Sequence, residues 1–305
     1  MEIDELINNG IPPIGFGPGT PKRIRYKKSP KGAGYFLFRV YNKLFWKPWA
    51  SRSSGKYAKS ISSALKAGFR LIDYSSAYGD GKPIGKAIKE LAIPREQLFL
   101  TTRVSNKAQR THTVRDEFFE CMKGMGVDYV DLLQFHWPVP DLYLETWREM
   151  EKLYEEGYVK HLGVANCHQH HLEEIFKICK YKPEIGQFEI HPLFTQKPLI
   201  QYYKNHDILV EAYTPIARYD DRLIRLPLMK RLEAKYHKNL VQIILRWHIQ
   251  NSCIPLVRSS SPKHQKDNIN IFDFELSDED MKLIDSININ SRLRFDPDNC
   301  DFSIL

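Results

Sequence analysis

From residue 56 onward the chain alternates two hydrophobic periods, and this alternation restricts the fold more than any other feature. Short apolar runs occur at Phe69–Ile72, Leu98–Thr102, Tyr129–Phe135, Leu162–Ala165, Ile185–Glu189, Ile208–Ala212 and Cys253–Val257, with an eighth expected near Ile269–Phe272. Such runs are too short for buried helices and read as strands covered on both faces. Between them lie stretches striped every three or four residues. One is a helix over Lys56–Ala67 that buries Ile61, Ala64 and Leu65 and stops at Gly68. Others are marked by Val114, Phe118, Cys121, Met122 and Met125, by Trp147, Met150 and Tyr154, by Leu172, Ile175, Phe176 and Cys179, and by Val241, Ile244, Leu245 and His248. Ser277-Asp-Glu-Asp280 reads as a capping box, with Leu276 and Met281 placed for a hydrophobic staple. About eight strands separated by helices call for parallel pairing through right-handed crossovers. The simplest architecture with that count is a single (β/α)8 barrel of parallel strands, expected to form one domain over residues 1–305.

The N-terminal part departs from the pattern. Ile11-Pro-Pro-Ile-Gly-Phe-Gly-Pro-Gly-Thr20 reads as a short strand entering a turn, and Gly15, Gly17 and Gly19 lack the following helix that a dinucleotide fingerprint requires. Residues 20–55 form a basic, aromatic-rich insertion. Residues 21–56 hold eleven of the 45 basic side chains and no acid, leaving 34 basic against 37 acidic residues elsewhere. The net charge of +8 thus belongs to one segment, and no nucleic-acid footprint is expected for the fold. Tyr35–Trp46 could place its aromatics on one helical face, with Arg39 and Lys43 on the other. Three readings stand for the insertion: a lid over a pocket, a patch for a membrane surface or other polyanion through residues 21–55, and a segment without chemical role. The five cysteines show no Cys-x-x-Cys spacing, the acidic start carries no signal pattern, and no run approaches 18 apolar residues, so a cytoplasmic protein with reduced thiols is expected.

In a closed parallel barrel the residues at the carboxyl ends of the strands share one mouth. Asp73 and Tyr78 follow the first run, Arg103 the second, and His136 and Trp137 the third. A phenol with a pKa near 10 is a poor acid at neutral pH, and a nearby cation lowers that value. Arg103 can provide the cation, Asp73 can hold Arg103, and His136 can hydrogen-bond a substrate oxygen, a set suited to protonating a carbonyl. Beyond the later runs, Asn166 and Gln187 can bond a carboxamide, Tyr213 beside Thr214 offers a flat face, and Arg258 and Ser259 suit a phosphate. No metal site is expected, since His168, His170 and His171 cluster without a carboxylate at ligand spacing.

At these residues the sequence resembles the aldo-keto reductase family. The motifs are Gly68-x-Arg70-x-Ile72-Asp73-x4-Tyr78, Gly126 to Pro138 with its Phe-His-Trp-Pro, Gly163-Val-Ala-Asn166, Gln187-Phe-Glu-Ile-His-Pro192, Ala212-Tyr-Thr-Pro215, Leu245-Arg-Trp247 and the run Asn268 to Met281. The resemblance implies a barrel that uses NADPH, with NADH as an alternative, to reduce aldehydes and ketones without a metal. It implies Tyr78 as proton donor, Asp73 as its electrostatic partner and His136 as the carbonyl-orienting group, with Trp137 toward the substrate. Asn166, Gln187 and Tyr213 would hold the nicotinamide, and Arg258, Ser259, His264, Asp267 and Asn268 would surround the adenosine phosphate end. In the family the first strand belongs to a hairpin at the barrel bottom.

Four positions depart from the pattern. The family's catalytic lysine is Arg103, the serine before the carboxamide-binding Asn is Ala165, the lysine of the phosphate-binding pair is Arg258, and the arginine that follows is His264. Arginine for lysine is not conservative at a packed site. Two functions therefore remain: a carbonyl reductase acting on a small-molecule substrate, and a nicotinamide-cofactor-binding protein with little reductase activity. The tail ends soon after Asp296-Pro-Asp298, as in the shorter bacterial members.

Overall fold

The computed structural model describes residues 10–18, 55–76 and 81–302. Most of the 20–55 insertion and the whole of 77–80, Tyr78 included, lie outside the described residues, as do the three readings of the insertion. Eight strands, β1 (Gly15–Phe16), β2 (Leu71–Asp73), β3 (Phe99–Val104), β4 (Val130–Phe135), β5 (Val159–Ala165), β6 (Ile185–Glu189), β7 (Leu209–Tyr213) and β8 (Cys253–Val257), close into a barrel in sequence order. Every pair is parallel. The fold is the (β/α)8 barrel that the alternation predicts.

Two expectations about closure are corrected. No strand forms near Ile269–Phe272. Ser261 caps the helix Pro262–Ile269, with Pro262 preset at its first turn, and the chain beyond is irregular. Ile271 is apolar there because it is buried singly in the core. The eighth stave is the N-terminal strand, which pairs in parallel with β2 through Gly15↔Leu71 and with β8 through Gly15↔Leu256, rather than forming a hairpin. A Cβ on Gly15 would stand 2.4 Å from Leu256 Cδ2 and 2.5 Å from Leu71 Cδ2, so only a bare backbone fits between those neighbours. Because β1 runs with the others, Gly17 and Pro18 leave the barrel at its carboxyl-end face.

Two apolar clusters hold the structure. Ile11, Leu71, Phe99, Leu132, Ile185, Leu209, Ile254 and Leu256 fill the lower lumen. The larger one lies between the outward strand residues and the helices, with Trp147, Trp247, Tyr203 and Phe135 among its largest fully buried side chains. The helix 55–67 buries Ile61, Ala64 and Leu65 as its stripe requires, and Gly68 ends it at φ 109°. Ser277 caps the helix Asp278–Asp285, but the box is not reciprocal. The Tyr236 hydroxyl accepts the Ser277 N–H at 2.9 Å, while the Asp280 carboxylate accepts from Lys235, Tyr236 and Ser277. No helix among the described residues is long and apolar enough to cross a membrane.

Candidate active site

Strand alternation sends every second residue into the lumen. Above the apolar plug these inward positions turn polar: Asp73 on β2, Arg103 on β3, Gln134 on β4, Gln187 on β6 and Glu211 on β7, all buried. Arg103, 2% exposed, is the hub. Its Nη2 donates to Asp73 Oδ1 and, at 2.7 Å, to Gln187 Oε1, and its Nε donates to Gln134 Oε1 at 3.2 Å. Gln187 Nε2 donates onward to Glu211 Oε2 at 2.8 Å. Burial pushes the Asp73 carboxyl up, against the opposing charge of Arg103 and the Gln187 hydrogen bond. Glu211 is raised to about 7 by burial and by the negative charge of Asp73. Two carboxylates share one guanidinium, and the second is disfavoured as an anion.

At the strand ends His136 follows β4, with its carbonyl accepting Asn166 Nδ2 at 2.9 Å. Asn166 adopts φ 61°, a left-handed conformation that asparagine tolerates, and its Oδ1 accepts the Tyr213 hydroxyl at 2.6 Å. Burial lowers the His136 pKa to about 3, helped by the positive charges of Arg103 and Arg294. The imidazole is therefore neutral at ordinary pH and can donate a hydrogen bond without acting as a strong acid.

A cleft of about 640 Å³ opens over this layer, and Asp73, His136, Trp137, Asn166, Gln187, Tyr213, Thr214, Arg258 and Ser259 all line it. Arg103 lies beneath and is bonded to Asp73 and Gln187 of the lining. His264, Asp267 and Asn268 are not among the lining residues. They sit on the helix Pro262–Ile269, where His264 is exposed and Asn268 is buried. The sequence reading missed four residues. Gln134 and Glu211 interrupt otherwise apolar strands, and that interruption was the available signal. Arg218 and Arg294 line the mouth from irregular segments that no periodicity identifies.

The histidine cluster also requires correction. The carboxylate that sequence spacing did not offer arrives from the C-terminal segment: Asp298 Oδ2 lies 2.6 Å from His168 Nδ1, and Oδ1 lies 3.3 Å from His170 Nε2. His168 Nε2 takes a hydrogen bond from Arg292, and His171 Nδ1 takes one from the His168 backbone N–H. These partners place the ring protons of His168 and His171 toward Asp298, and His170, His171 and Asp298, like His168, Asp296 and Asp298, lie close enough together to hold a metal ion. Burial opposes the ionised form of Asp298, but the His168 hydrogen bond and the electrostatic attraction of the neighbouring histidines outweigh it and lower the pKa.

Residues 43–289 match the sequence model of the aldo/keto reductase family. The chain is 38% identical over 244 residues to the glyoxal reductase of Bacillus subtilis, covering 80% of this chain and 88% of that one. An aldo-keto reductase enzyme from a Medee basin deep-sea metagenome library has a similar structure, with a TM-score of 0.82 and 32% identity over 95% of this chain and 96% of that one. An aldo-keto reductase of Bombyx mori in complex with NADP has a TM-score of 0.78 at 28% identity, covering 94% of this chain and 92% of that one.

Proposed function

Because the chain belongs to the aldo/keto reductase family, we propose that it reduces the carbonyl of a small aldehyde or ketone to the alcohol with NADPH, Tyr78 delivering the proton. The observation that carries this reading is a cleft that His136 lines beside the buried Asp73–Arg103 pair. A neutral imidazole N–H can orient a carbonyl oxygen, but it is a weaker proton donor than a phenol beside a cation. The proton then comes from another acid, and Tyr78, five residues beyond Asp73 in the family motif, is the group assigned to it.

The cleft fits the cofactor by the chemistry of its donors. Asn166 and Gln187 present amides, Tyr213 a ring face, and Arg258 with Ser259 a cation and hydroxyl beside the capped helix Pro262–Ile269. When bound, NADPH supplies the hydride. The protein's part is to orient the carbonyl through His136, hold Arg103 fixed with Asp73, and give the developing oxyanion a proton from Tyr78. The glyoxal reductase relative supports a small carbonyl compound as substrate.

Incubation with NADPH and a panel of small aldehydes tests this reading. Tyr78→Phe is expected to lower kcat by roughly 10²–10⁴-fold, with cofactor affinity retained; turnover equal to that of the unmodified protein sinks the assignment.

A second reading, a cofactor-binding protein with little turnover, is favoured by one observation. Arg103 already serves Asp73, Gln187 and Gln134, so its charge is shared among fixed partners. Arg103→Lys separates the two. A fall in kcat identifies Arg103 as the working cation, and a large rise identifies a site that has moved away from catalysis.

A further inference from the structure

The helix Pro262–Ile269 buries amides where an amphipathic helix buries apolar side chains. Its buried residues are Gln265 and Asn268, and Gln265 is 0% exposed although Lys263, His264 and Lys266 around it are exposed. A buried amide is costly unless its donors and acceptor are served. Gln265 Nε2 donates to the Ser60 carbonyl at 2.9 Å and to the Ser259 carbonyl at 2.8 Å, and its Oε1 accepts the Ser63 hydroxyl. Ser60 Oγ donates to the same Ser259 carbonyl at 3.0 Å. That one carbonyl thus accepts two side-chain donors, one from the helix Pro262–Ile269 and one from helix 55–67, 199 positions earlier in the chain.

The loop held in this way is short. It runs from Val257, the last residue of β8, to Ser261, the cap of the next helix, and Arg258, Ser259 and Ser260 line the cleft. Within it Ser259 Oγ accepts the Ser261 N–H at 3.1 Å. A loop whose backbone is fixed from outside presents its side chains before a ligand arrives, so their ordering is not subtracted from the binding energy. Arg258, Ser259 and the start of the helix carry the anion-binding chemistry assigned above to the adenosine phosphate. Gln265 is not among the residues that line the cleft, and it reaches that chemistry only through the Ser259 backbone.

We propose that Gln265, with Ser60 and Ser63, clamps the loop 258–261 in the conformation that takes the phosphate on the cofactor's adenosine, and that this clamp sets the preference for the phosphorylated nicotinamide cofactor. The proposal rests on the reductase reading above and deepens its cofactor assignment. Gln265 is a positioning residue. A planar amide suits the task because its two N–H groups bridge carbonyls on two separate elements while its oxygen is anchored by a third group.

Binding of NADP+, NAD+ and adenosine 2′,5′-bisphosphate is measured by calorimetry for the unmodified protein, Gln265→Leu and Gln250→Leu. Leucine fills the place of the amide without its hydrogen bonds. Gln250 holds the Leu276 carbonyl at 2.9 Å and the Leu276 N–H at 2.8 Å, is not among the residues that line the cleft, and so reports what losing a comparable amide does to the fold alone. Gln265→Leu is expected to weaken NADP+ and the bisphosphate about tenfold and NAD+ by less than about twofold, while Gln250→Leu leaves all three unchanged. In turnover the effect should fall on KM for NADPH, with kcat at saturating cofactor retained. Should Gln265→Leu fail to fold, Ser60→Ala, which removes one of the two donors on the Ser259 carbonyl, carries the test with the same selectivity at about threefold. Undiminished NADP+ binding, equal weakening of NADP+ and NAD+, or the same loss in Gln250→Leu overturns the proposal. Failure of the unmodified protein to bind the bisphosphate would refute the cofactor assignment and the clamp together. Absence of aldehyde turnover with the binding pattern intact would refute the reductase reading and leave the clamp standing.

Discussion

Arg103 joins three side chains from three strands with one planar group, a task that a lysine ammonium, with a single point of charge, performs differently. Its partner Gln134 interrupts the apolar run of β4 and is the residue that makes an arginine acceptable there, because the Nε–H would otherwise be buried without an acceptor. Glu211 has a measurable consequence. Its carboxyl is held at about 7, above the ordinary 4.5, so the folded chain keeps this proton more tightly than the unfolded chain. The stabilising contribution is complete below the ordinary value and is lost as pH rises through the folded one. Glu211→Gln removes that dependence. Its melting temperature relative to the unmodified protein should rise between about pH 5 and about pH 8, as followed by thermal unfolding, and an unchanged difference would show that Glu211 ionises freely.

At the scale of the element, register determines which residues meet. Arg103 is the Cα partner of Gln134, Gln134 of Gly163, and Gln187 of Glu211, so the polar ring is a row of neighbours across the staves. Gly163 makes room in that row. A Cβ there would lie 2.4 Å from the Ile185 carbonyl oxygen and 3.1 Å from Gln134 Cγ, and backbone on one side cannot yield. Gly163→Ala should therefore destabilise the protein by about 1–3 kcal/mol, measured by chemical denaturation, whereas a loss near zero would mean that β5 and β6 can separate. The strand and helix segments were largely legible, since period and stop residues are local. The misassigned stave was β1, expected as a strand but not as part of the barrel, since it is two residues long and held by neighbours rather than by any pattern of its own. The misplaced one, near Ile269, was a single buried anchor that looked like a run.

For the whole molecule, the C-terminal segment ties distant parts of the barrel together. Glu189 holds Leu293 and Arg294, and the rings of Phe295 and Phe302 each stand 6.5 Å from Trp137. His168, His170 and His171 gather on Asp298. Asp298→Asn keeps the size but removes the charge, and should raise hydrogen exchange in the segment 291–300 while leaving the barrel strands protected. Equal protection would show that the aromatic contacts hold the segment unaided. Much of the cleft lining was readable because its residues stand at the ends of periodic strands: Asp73, His136, Asn166, Gln187 and Tyr213 all line one cleft. The arginines at the cleft mouth and the histidine clasp were not readable. Alternation of apolar runs and the choice of cap and stop residues are properties of neighbouring positions, so the chain's own order determined the barrel and the ends of its staves. Which stave closes it, and which guanidinium and carboxylate groups from irregular segments come together over its mouth, depended on contacts between residues far apart in sequence, and only the closed tertiary structure decided them.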